Sequence, residues 1–133
     1  MKRIVLAYDG SPPAQHAARR AAEVARLYEA SVLVLVVGEL IESGYGTQVP
    51  VMAREEYDKL AAQGVEEVAA AGVEAASRVI WGAPAAKIVE EAKSEGADLV
   101  VMGHRGGGLK SFLLGSVARH VIDHAECSVL VVR

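Results

Sequence analysis

The sequence predicts an α/β fold: a five-stranded parallel sheet with helices on both faces. Three observations predict it. Strand-like and helix-like segments alternate along the whole chain, which is the pattern of a parallel sheet wrapped by helices. The strand-like runs are β-branched and apolar without alternation, as in Ser31-Val-Leu-Val-Leu-Val-Val37, the mark of strands buried on both faces. A glycine-rich stretch from Gly103 to Gly115-Ser116 falls between one such run and a helix-like run.

The elements follow in order. Lys2–Tyr8 reads as a buried strand and Asp9-Gly-Ser-Pro-Pro13 as a turn. Pro12 and Pro13 suit the first positions of a helix, with Ser11 as its cap. Ala14, Ala17, Ala18, Ala21, Ala25 and Tyr28 recur at helical spacing, so that helix runs to about Glu29. Ser31–Val37 is the second strand, and Gly38–Pro50, with three glycines and a proline, reads as a loop. Val51–Ala71 reads as a helix carrying Tyr57, Leu60, Ala61, Gly64 and Val68 on one side, stopped by Gly72. Glu74–Trp81 is the third strand. Gly82-Ala-Pro84 opens a helix with Ile88, Val89 and Ala92 inward, and Gly96 ends it as a left-handed cap. Ala97–Met102 is the fourth strand, about Ser116 to His124 the last helix, and Ser128–Val132 the fifth strand.

The chain of 133 residues is one domain, 1–133, long enough to bury a sizeable core. Its 52% apolar and 23% charged residues are those of a globular protein. A net charge of −3 with scattered Lys and Arg argues against a nucleic-acid partner. The longest wholly apolar run, Val32 to Val37, is far shorter than a membrane span needs. Met1-Lys-Arg leads directly into a strand, with no signal-peptide pattern, and one cysteine, Cys127, excludes an internal disulfide. The expected location is the cytoplasm.

In parallel sheets of this kind, ligands bind beyond the carboxyl ends of the strands, where strand order reverses. The segments after strands one, two and four are therefore the candidates: Asp9-Gly-Ser11, Val36–Gly38, and Met102 through Ser116. Glycines let backbone N–H groups approach an anion, and the first turn of the following helix adds partial positive charge. Gly103, Gly106, Gly115 and Ser116 thus form a candidate phosphate site, to which Val117 adds a backbone N–H. His104, Arg105, Gly107 and Lys110 are further candidate phosphate contacts, although a solvated position suits the three side chains as well. Asp9 either accepts a hydrogen bond from a base or ribose or merely stabilises its turn. Met102 either packs on a ligand or fills the core. His120 and His124 stand four residues apart without an accompanying metal motif and read as surface. No general base is paired with a nucleophile, and no lysine follows the glycine loop in the Walker order.

The chain resembles the universal stress protein family over its whole length. The resemblance rests on Ile4-Val-Leu-Ala-Tyr-Asp9-Gly-Ser11, Ser31–Val37, Gly82-Ala-Pro-Ala-Ala-Lys-Ile88, Gly96-Ala-Asp-Leu-Val-Val-Met-Gly103-His-Arg-Gly106, Leu114-Gly-Ser-Val117 and Cys127-Ser-Val-Leu-Val-Val-Arg133. It implies a Rossmann-like sheet of order 3-2-1-4-5, similar to adenine nucleotide alpha hydrolases, and a homodimer. It also implies an adenine pocket lined by Ala7 and Val36, the latter acting through its backbone. Family members that bind ATP carry Gly-x2-Gly-x9-Gly-Ser/Thr after strand four. Here Gly103-x2-Gly106 is followed by eight residues before Gly115-Ser116, so the loop is one residue short. The resemblance implies an ATP-binding regulator acting through nucleotide-dependent conformation, with Mg2+ or Mn2+ as a candidate bridge between phosphates. A module of the same fold without nucleotide and a slow ATP hydrolase remain as alternatives. The last strand, with Val129, Leu130, Val131 and Val132, is expected to pair with its symmetry mate in the dimer, because a bare apolar edge would be adhesive.

Overall fold

A computed structural model describes residues 1–106 and 114–133. Its main sheet contains β1 (Arg3–Ala7), β2 (Ser31–Gly38), β5 (Ala75–Trp81), β6 (Leu99–Gly103) and β7 (Ser128–Val132). They lie in the order β5-β2-β1-β6-β7, all parallel. Counted along the chain, that is the expected 3-2-1-4-5.

The period of two in each strand divides the core into two layers. Ile4, Leu6, Val32, Val34, Val36 and Val101 face helices α1 (Pro12–Tyr28) and α2 (Arg54–Ala69). Val5, Ala7, Leu33, Leu35, Val100 and Met102 face α3 (Pro84–Ser94) and α4 (Ser116–His124). Every one of these strand positions is at most 9% exposed, which accounts for the unalternated apolar runs. The α1 face is built of alanines 14, 17, 18, 21, 22 and 25, so that helix lies close against the strands. Ser11 caps it as expected, its Oγ accepting from Ala14 N at 3.3 Å. Gly96 closes α3 with φ +64°, a left-handed conformation that glycine adopts without strain.

Two segments differ from expectation. The stretch read as a loop after β2 contains a β-hairpin, β3 (Leu40–Glu42) paired antiparallel with β4 (Gln48–Pro50). It is too short and too polar at its turn to give a strand signal. Helix α2 begins at Arg54 rather than Val51, with Ala53 as its cap position. Val51 and Met52 are left in the linker between hairpin and helix.

Candidate functional site

Strand order reverses around β1, which has β2 on one side and β6 on the other. The loops leaving these strands diverge and open a cavity of about 330 Å³, within the size range of small-molecule sites. Ala7 and Asp9 enter it from β1, Val36 and Val37 from β2, and Met102, Gly103, Arg105 and Gly106 from β6. Gly115, Ser116 and Val117 enter from the start of α4. Three segments far apart in sequence thus meet in one place.

Asp9 has two roles, one for each carboxylate oxygen. Oδ1 accepts from Ser11 N at 2.9 Å and from Ser11 Oγ at 2.5 Å, which fixes the turn into α1. Oδ2 faces Gly106, where a Cβ, were there one, would stand 3.3 Å away. The turn-stabilising role leaves one oxygen for the cavity.

The backbone acceptor and donor expected of Val36 fall instead to Val37. Along β2, Ser31 N donates to Lys2 O and Leu35 O accepts from Tyr8 N, so odd-numbered residues address β1. Val32 N donates to Glu74 O and Gly38 O accepts from Gly82 N, so even-numbered residues address β5. Val36 therefore spends its N–H and C=O on the sheet. Val37 lies beyond the last β1–β2 pair, Ala7 with Leu35, and points its N–H and C=O to the cavity side.

The start of α4 and Arg105 form the other end of the cavity. Among the described residues no side chain caps α4, whose cap residue is Gly115, so its first-turn N–H groups are open to a ligand. Gly115 does not offer its own N–H, which donates to His104 O at 2.7 Å. Arg105 lines the cavity. Its NH1 donates to Gly106 O at 3.2 Å, and its Nε is buried with no hydrogen-bond partner among the described residues. The expectation for His104 is corrected: it is 7% exposed, absent from the cavity wall, and its Nδ1 lies 3.3 Å from Val132 O. Directly after β6, His104 N donates to Val132 O at 2.7 Å, which holds the residue against the end of β7 and keeps it buried. Gly107 and Lys110 lie outside the described residues.

Gly103 serves packing first. A Cβ there would come within 2.7 Å of Pro13 Cβ and 3.0 Å of the Pro13 backbone, so its bare Cα lets the start of α1 approach β6.

A family model described as the universal stress protein family matches residues 1–133. The chain belongs to the universal stress protein family. A universal stress protein of Methanocaldococcus jannaschii is 37% identical over 99% of this chain and 82% of its own length. A solved universal stress protein from Archaeoglobus fulgidus, in complex with dAMP, superposes with TM-score 0.76 at 28% identity, covering 100% of this chain and 98% of its own. Another universal stress protein, in complex with cAMP, has TM-score 0.77 at 25% identity, covering 99% and 97%.

This universal stress protein has pocket walls that its sequence did not mark. Tyr57 and Leu60 reach in from α2, Pro84 and Ile88 from α3, and Glu39, Val51 and Met52 from the ends of the hairpin. Tyr57 and Leu60 were legible only as the apolar side of a helix. Val51 and Met52 were concealed by placement inside that helix. Among the described residues, no three His, Cys, Asp or Glu side chains gather to hold a metal. None of the described helices is long and apolar enough to cross a membrane.

Proposed function

We propose that this universal stress protein binds ATP in the cavity between β1, β2 and β6. The observation that carries the reading is the pairing of an apolar slot with an anion site in one cavity. At one end stand Ala7, Met102 and the Val37 backbone; at the other, the uncapped start of α4 and the unpartnered Arg105 Nε. The N–H and C=O of Val37 complement adenine, whose edge offers an acceptor beside an amino donor. Guanine presents the reverse order and would leave both groups unpaired, a costly mismatch in a buried site. Asp9 Oδ2 suits a ribose hydroxyl. Ser116 Oγ, the N–H groups of Ser116 and Val117, and Arg105 would hold phosphates.

A Mg2+ or Mn2+ ion would draw most of its oxygen ligands from phosphates and water, with Asp9 as a carboxylate on the cavity wall, which is how Mg2+ is often held. The protein is read as a cytoplasmic homodimer whose surface changes with nucleotide occupancy. Adenine-nucleotide complexes of two relatives support the base end of this reading. Chromatography of small molecules released by heating the purified protein, with calorimetry of added ATP, tests it. Release of ATP, or binding of added ATP, is expected. An empty protein that also ignores added ATP would leave the interaction module without nucleotide.

A further inference from the structure

The hairpin that leaves β2 carries part of the pocket wall, and a dedicated contact ties it to the chain's single tryptophan. Residues 41, 42 and 44–50 are all exposed, so the hairpin stands off from the core. Its two ends are clipped together where Val51 N donates to Glu39 O at 2.9 Å. At that clip, Glu39 N donates to the buried Tyr57 Oη at 3.2 Å. Tyr57 packs edge-on against Trp81, ring centroids 5.2 Å apart at 78°. Trp81 in turn lies flat beneath Gly38, where a Cβ would come within 2.5 Å of its ring. The residue before the hairpin, the hairpin's clip and the tryptophan form one contact chain.

Val51 and Met52 are 48% and 38% exposed although both line the cavity. Large apolar side chains left open on the rim of a pocket gain from a ligand that covers them. Building on the nucleotide reading, we propose that the arm from Glu39 to Met52 is the movable wall of the pocket. It closes Val51 and Met52 over a bound nucleotide and transmits that closure through Tyr57 and Gly38 to Trp81. The hairpin surface, with Ile41, Tyr45 and Val49 outward, is then the part of the molecule whose position depends on occupancy. Trp81 does not line the cavity, so any response of its emission reaches it through these contacts.

The test uses the whole chain with ATP as probe. Calorimetry measures binding independently of the arm. Hydrogen exchange and Trp81 emission measure the arm. The expected result is exchange slowed about tenfold across residues 39–52 with ATP, together with a shift in Trp81 emission. Met52→Ser, at an exposed position, should weaken ATP binding about fivefold with an unchanged melting temperature. If calorimetry records ATP binding while exchange at 39–52 and Trp81 emission stay as in the free protein, the movable wall is overturned and the nucleotide reading stands. If neither ATP nor AMP binds, both fall together.

Discussion

Gly106 faces the carboxylate of Asp9 so closely that a Cβ on it would stand 3.3 Å from Oδ2. Gly106, just after β6, and the turn after β1 therefore approach each other at the cavity. The other carboxylate oxygen holds Ser11 at the start of α1. One residue couples the fold of the turn to the shape of the site. Asp9→Ala should lose about 1 kcal/mol of stability with the turn and weaken ATP binding at least tenfold. Asp9→Asn keeps an oxygen for Ser11, so it should restore the melting temperature while binding stays weak. Equal recovery of both by Asn would remove the ligand role.

Arg105 is the described side chain best placed to tell a triphosphate from a nucleoside. Its buried Nε lacks a partner among the described residues, and a buried unpaired charged donor is costly until an anion meets it. Arg105→Ala should weaken ATP at least tenfold and adenosine less than twofold, measured by calorimetry. The difference should shrink in high salt, as expected of a charge contact near solvent. Equal losses for both ligands would place Arg105 in a structural role alone.

Gly103 separates packing from binding. Its missing Cβ is demanded by the Pro13 backbone at 3.0 Å and Ala14 N at 3.1 Å, groups that cannot rotate away. Gly103→Ala should cost about 1–3 kcal/mol by overpacking, read in a denaturant melt. A variant as stable as the parent would show that α1 can shift at no cost.

The architecture was legible because buried parallel strands leave a signal that little else imitates. Ser31–Val37 has no polar position at which to break, and Ser11-Pro-Pro marks a helix start unambiguously. The hairpin was not legible, since strands of three residues with exposed side chains on both faces carry no period. The site was legible in its segments but not in its atoms. Val36 and Val37 are the same residue type and both line the cavity, and only the hydrogen-bond parity of β2 decides which one keeps its N–H and C=O out of the sheet. His104 and Arg105 are adjacent polar residues in one loop, yet one is held against Val132 at the end of β7 and the other lines the pocket. Sequence spacing cannot distinguish them, because the turn after β6 determines which side each faces.

Tyr8 makes stability sensitive to alkaline pH. Its hydroxyl is buried, and burial, followed by the nearby Glu67 carboxylate, pushes its pKa from 10.0 up to about 12. Between those values the unfolded chain releases the tyrosine proton while the folded chain keeps it. Unfolding is then favoured as pH rises. The tyrosine's contribution is complete below pH 10.0 and is lost as pH climbs through about 12. Tyr8→Phe should flatten that part of the stability profile, measured by denaturant melts across the range. An equally steep loss in the Phe variant would assign the alkaline sensitivity to other groups.

Among the described residues, β7 pairs only with β6, through Leu99–Ser128 to Gly103–Val132. From Ser128 to Val132 it holds no charge and no proline, the usual devices that keep an open edge from joining another. Val129 and Val131 pack partly against the α3–α4 layer, and Leu130 and Val132 against the α1–α2 layer. The free side of the strand is therefore a backbone ladder flanked by half-buried apolar side chains, which suits a second copy of itself. Val131→Lys should convert a dimer to a monomer in sedimentation. Because Val131 is only half-buried, the lysine stem can lie along the layer and carry its charge outward, so circular dichroism and cooperative melting should persist. A folded variant that remains dimeric would place the interface elsewhere.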